Sequence, residues 1–136
     1  MGVHFTIDAN ARLVSYSVEG ITTPDHARAF FAAVLTHPDY ESGFNFLGDR
    51  RETEEEPDSA YIHAVTLEVL SRRAVLGPCR WAVLVASDVS YGMARMWGLL
   101  TASSGVEIKP FRTMSEAAQW LGLPAEYSAL ALVGAG

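Results

Sequence analysis

The sequence predicts a single α/β domain of order β-β-α-β-α-β-α-β-α, with a mixed, mainly parallel sheet and helices packed around it. Three observations carry that reading. Short apolar or alternating runs of strand type alternate with segments of helical period. Helix starts are marked in turn by Thr-Pro-Asp, Pro-Asp-Ser, Ser-Asp and Thr-x-x-Glu strings. The chain has 136 residues, 49% of them hydrophobic, which suits one domain with its own core.

The elements follow in chain order. His4-Phe5-Thr6-Ile7 and Leu13-Val14-Ser15-Tyr16-Ser17-Val18 read as strands joined by the turn formers Asp8 and Asn10. That hairpin makes the first strand antiparallel to its neighbour. Thr22-Thr23-Pro24-Asp25 opens a helix carrying Ala27, Phe30 and Val34, and Pro38 ends it by pushing His37 out of the α region. Phe44-Asn45-Phe46-Leu47 is a third strand ending at Gly48-Asp49, followed by an acidic loop. Pro57-Asp58-Ser59 opens a second helix with Ile62, Val65 and Val69 on one side, stopping near Gly77-Pro78. Trp81 to Ala86 is continuously apolar, as a strand buried on both faces is. Ser87-Asp88 caps a third helix with Met93, Met96, Trp97 and Leu100 on one stripe, ended by Ser103-Ser104-Gly105. Val106 to Phe111 is the last strand. Thr113 and Glu116 form a capping box for a final helix carrying Ala117, Trp120 and Leu121. The domain is read as residues 1–123, with 124–136 as a partly disordered tail.

Composition excludes several classes. The net charge of -6 argues against nucleic-acid binding, which rests on neutralising phosphates. No apolar run is long enough to span a membrane, and Met-Gly-Val-His-Phe lacks the basic and apolar segments of a secretory signal, so a cytoplasmic location is expected. One cysteine leaves no intrachain disulfide and no multi-Cys zinc site. No cofactor is expected, since the glycine-rich nucleotide motifs, the serine-hydrolase elbow and the H-E-x-x-H string are all missing. The acidity is concentrated, for segment 49–58 holds six acids and two bases.

Open α/β sheets bind ligands outside the carboxyl ends of their strands. Asp49, Arg50 and Asp88 fall there, and the two acids together suit a hard cation. The structural alternative is that Asp88 caps its helix and Asp49 pairs with an arginine. His4, His26, His37 and His63 have no metal-ligand spacing, and Cys79 reads as an inert buried thiol. The third helix is apolar on more than one side, because Tyr91 and Leu99 lie off the Met93, Met96, Trp97 stripe. Such a helix is buried twice, against its own core and against a second subunit or a lipophilic ligand.

Particular strings resemble the SpoIIAA-like family. They are His37-Pro38-Asp39-Tyr40, Asp49-Arg50, the Trp81–Ala86 run, Tyr91-Gly92-Met93-Ala94-Arg95-Met96, Phe111-Arg112 and Glu116 to Leu121. The resemblance covers about residues 3–123, and the Tyr-Gly-x-Ala-Arg-Met string is its most specific piece. It implies a small bacterial protein with a STAS-type fold, related in shape to CRAL-TRIO lipid-transfer domains. STAS regulators of sigma factors carry a phosphorylated serine in an Asp-Ser-Ser-Gly string at a helix start. Here Asp58-Ser59 keeps its first two letters and Ala60-Tyr61 departs from it, while Glu54-Glu55-Glu56 would repel a phosphate.

The resulting expectation is a non-catalytic binding or regulatory module working through protein partners, and a homodimer using Met96, Trp97 or their neighbours. Asp49, Arg50, Asp58, Ser59, Asp88, Tyr91, Met93, Met96 and Trp97 are its candidate ligand or partner residues. By the resemblance to the CRAL-TRIO shape alone, one alternative is a carrier or sensor of an apolar small molecule, in a closed pocket lined by Phe30, Val65, Met93 and Trp97. Another is a metal-assisted enzyme using Asp49 and Asp88.

Overall fold

Strand order decides where the helices of this chain go. The computed structural model describes residues 2–20, 22–53, 58–124 and 127. Its strands are β1 (Gly2–Asp8), β2 (Leu13–Gly20), β3 (Asn45–Thr53), β4 (Cys79–Leu84) and β5 (Val106–Phe111). They form one sheet in chain order. β1 and β2 are an antiparallel hairpin, and β2 to β5 are parallel.

Each parallel step therefore moves one strand in the same direction. Right-handed crossovers then place every connecting helix on one face. Those helices are α1 (Pro24–Leu35), α2 (Ser59–Ser71) with the short α3 (Arg73–Leu76), and α4 (Asp88–Leu100). Their buried residues join those of the sheet in the larger core, which includes Phe30, Val65, Val69, Ala94 and Trp97. α5 (Met114–Leu121) follows the last strand and packs on the opposite face, over Leu47, Ala82 and Leu84. Tyr127 joins that smaller cluster. The rest of the predicted tail, apart from Pro124, and the Glu54–Pro57 part of the acidic loop lie outside the described residues.

The helix starts use the residues the sequence marks. Thr23, Asp58, Ser87 and Thr113 are the N-caps of α1, α2, α4 and α5, each accepting a hydrogen bond from a backbone N–H in the first turn. This satisfies donors that a helix leaves free at its start. His26 completes a box by accepting from the Thr23 N–H at 3.1 Å.

Three expectations need correction. β3 does not end at Gly48-Asp49 but runs to Thr53, because β2 continues beside it and pairs Glu19 with Glu52 and Gly20 with Thr53 after a register shift. The second helix does not run unbroken to Gly77, since Arg72 at φ -113° and ψ 13° separates α2 from α3. The stripe on α4 is also rotated. Ser90, Ala94 and Trp97 are its buried residues, Met93 is half-buried beside them, and Met96 and Leu100 are exposed. The helix lies close to β5 at Gly98. A Cβ on Gly98 would sit 2.4 Å from the Ile108 carbonyl oxygen.

The same closeness governs the sheet. Gly48 in β3 lies between Tyr16 of β2 and Val83 of β4. The Tyr16 ring leans across it, and its hydroxyl accepts a hydrogen bond of 2.8 Å from the Trp81 indole in β4. Phe46 stacks on Trp81 with centroids 4.0 Å apart, and Trp97 meets the same indole edge-on at 5.1 Å. A Cβ on Gly48 would fall 2.2 Å from Tyr16 Cζ. Gly48→Ala is expected to displace Tyr16 and destabilise the fold by about 1–3 kcal/mol, the usual cost of overpacking a core. A urea unfolding curve checks this, and an unchanged midpoint would contradict it.

Candidate functional site

Between the sheet and the three crossover helices the aromatic core leaves a cavity of about 50 Å³. Its sheet side is Tyr16, Trp81 and Val83, and its helix side includes Phe30, Val65, Ala94 and Trp97. Arg50 near the end of β3 and Tyr61 in the first turn of α2 border it and are partly exposed. Ala27 and Ser90, from the starts of α1 and α4, complete that end. The cavity thus lies toward the carboxyl ends of the parallel strands, where open α/β sheets take ligands.

Its volume sets what fits. One water needs roughly 10–15 Å³ on this measure, and an engineered cavity of roughly 150 Å³ holds benzene. The space suits a few waters or a short aliphatic chain, and not a lipid without rearrangement.

The polar atoms around it are mainly donors. Arg50 donates from Nη1 to the Tyr61 hydroxyl at 3.3 Å and lies over that ring, 5.2 Å from its centroid. The Tyr16 hydroxyl already accepts from Trp81, which leaves its own O–H as a donor. Burial pushes the Tyr16 phenol well above its ordinary pKa, so it stays protonated. Trp97 is 7% exposed, and its indole N–H is bonded to no acceptor among the described residues.

The candidate residues divide between this cavity and other places. Arg50 and Trp97 line it, and Asp58 helps to build it by capping α2, where its carboxylate accepts from the Tyr61 N–H at 2.8 Å. Of the four residues expected to line an apolar pocket, Phe30, Val65 and Trp97 do so and Met93 does not. Met93 instead packs against the edge of the core. Ser59 is exposed at the first position of α2. Met96 is exposed on α4, and Tyr91 lies beneath Arg112, whose guanidinium is 4.7 Å from the ring centroid.

Asp49 neighbours Arg50 in the strand and therefore points to the opposite face. Its carboxylate accepts from Arg51 Nε at 3.0 Å and Nη2 at 2.9 Å. Partial burial works to raise this carboxyl, but the hydrogen bonds and charge of Arg51 outweigh it and hold the carboxyl below its usual range. Ser87, not Asp88, is the cap of α4, and Asp88 accepts from Arg112 at 2.7 Å. Each acid thus has its own arginine. Among the described residues, no group of three or more His, Cys, Asp or Glu is placed to hold a metal ion. Cys79 is buried, and burial pushes its thiol up to about 12.

Sequence reasoning missed Tyr16, Tyr61 and Trp81 as cavity residues. Tyr61 carried a local signal, because it lies in the first turn of the helix that Asp58 caps, beside the carboxyl ends of the strands. Tyr16 and Trp81 carried none, since strands of unknown order do not reveal their neighbours.

Sheet order, helix placement and cavity together define a single α/β domain with a SpoIIAA-like fold. A crystal structure shares it: an uncharacterised protein of the DUF3478 family, described as having a SpoIIAA-like fold, from Shewanella loihica PV-4. The two are 15% identical and superpose with a TM-score of 0.62 over 88% of this chain and 94% of that one. No family model matches the chain, and no curated protein does. No helix among the described residues is long and apolar enough to cross a membrane.

Proposed function

We propose that the chain is a non-catalytic binding module that takes a small, apolar-bodied molecule between its sheet and α1, α2 and α4. The cavity itself carries this reading. Protein cores are close-packed and leave few voids larger than a water. A gap of about 50 Å³ among aromatic rings, near the carboxyl ends of the strands, is what a binding site for a small apolar group looks like. What supports a non-catalytic role is the state of the reactive groups. Asp49 and Asp88 are occupied by arginines, and the Cys79 thiol is buried and protonated.

Pentan-1-ol is a suitable neutral probe, read through the indole N–H resonances of ¹⁵N-labelled protein. Trp81 and Trp97 line the cavity, whereas Trp120 packs on Phe111 on the other face and serves as a control. The Trp81 and Trp97 signals are expected to move saturably while Trp120 stays still. Ala94→Val fills part of the space and is expected to abolish the shifts without lowering Tm by more than about 4–8 °C. A wild-type protein whose indole signals never move would contradict the proposal.

A second reading is docking to another protein, including a second copy of this chain. It rests on the outer side of α4, where Val89, Leu99 and Leu100 are 56%, 72% and 50% exposed. Trp97 is committed to the core of its own chain and takes no part. Sedimentation tests this reading. A dimer that Leu99→Glu dissociates would support it, and a monomer at high micromolar concentration would remove it.

A further inference from the structure

We infer that the molecule this cavity takes is a short-chain aliphatic monocarboxylate, its chain among the aromatic rings and its carboxylate on Arg50 and Tyr61. The inference rests on the reading of the cavity as a binding site and adds the chemistry of the ligand's head.

The cation comes first. Arg12, Arg28, Arg51, Arg72, Arg80 and Arg112 each pair with a carboxylate. Arg50, like Arg73 and Arg95, pairs with no carboxylate among the described residues, and its contacts are the hydroxyl and ring of Tyr61. Among the described residues it is also the one charged residue lining the cavity. A guanidinium is a planar fork of donors that matches a carboxylate in two parallel bonds.

The remaining polar groups agree. The lining holds no Asp, Glu, Asn, Gln or His among the described residues. Tyr16 has an O–H left to give, and the indole N–H of Trp97, a residue 7% exposed, has no partner among the described residues. A buried donor left unpaired is costly, and an acceptor on a ligand relieves that cost. Residues lining the cavity also lie in the first turns of α2 and α4, and helix starts favour negative charge.

Two features limit the ligand. The volume admits a short chain only. One arginine balances one negative charge, which suits a monoanion better than a dianion.

The test uses the full ¹⁵N-labelled chain near neutral pH, titrated separately with pentanoate, pentan-1-ol and acetate. Pentanoate is expected to shift the Trp97 indole signal and to bind about tenfold or more tighter than either of the others, as a charge-assisted hydrogen bond allows. Arg50→Gln is expected to bring pentanoate down to the level of the alcohol, while Arg50→Lys keeps part of the preference. A still Trp120 signal and an unchanged Tm report that each variant is folded. Equal binding of pentanoate and pentan-1-ol to the wild type would overturn the acidic head and leave the apolar site standing. Acetate binding as tightly as pentanoate would overturn the aliphatic tail. If neither five-carbon probe binds, both the head-group inference and the cavity reading fail.

Discussion

Tyr16 leans over Gly48 to meet Trp81, and much of the structure depends on that crossing. The hydrogen bond links β2 to β4 above the strand between them. It is possible only because position 48 has no side chain. With the bond in place, Trp81 is 1% exposed and presents fixed faces to Phe46, Phe31 and Trp97. Rings held this way are rigid, and rigid rings do not collapse into a gap between them. The cavity is thus a by-product of the packing that holds the sheet to its helices.

Chain topology gives this face its weight. A sheet in chain order with one crossover hand puts three helices on one side and leaves the other to α5. The thick side has room for a large aromatic core and brings three helix starts to the carboxyl ends of the strands. Arg50 faces that side and Asp49 the other, by strand alternation alone. Adjacent residues of opposite charge therefore serve different ends. Asp49 is tied to Arg51, and Arg50 is left for the cavity.

Much of the fold was legible because its signals are local. Thr23, Asp58, Ser87 and Thr113 mark helix starts through bonds to their own first turns, so no distant residue is needed to read them. Tertiary pairing hid the rest. Asp49 to Glu52 have the composition of a loop, yet the neighbouring ladder of β2 carries them as strand. Met93 and Met96 have the apolarity of core residues, yet α4 packs with Ser90, Ala94 and Trp97 inward instead, and apolarity alone does not tell which face of a helix is buried. Helical spacing marked Phe30, Val65 and Trp97 as inward-facing, and only the resemblance to the CRAL-TRIO shape placed them, with Met93, around a pocket. Tyr16 and Trp81 meet only across Gly48, and nothing in a one-dimensional pattern reports that meeting.

The central claim is that the Tyr16–Trp81 crossing is a fixed floor for both core and cavity. Hydrogen exchange of the three indole N–H groups, followed against denaturant, tests it most directly. If the claim holds, the Trp81 N–H exchanges only through global unfolding, with the free energy and denaturant slope of the whole domain. Exchange of Trp81 through a local opening, insensitive to denaturant and as fast as that of Trp120, would contradict it.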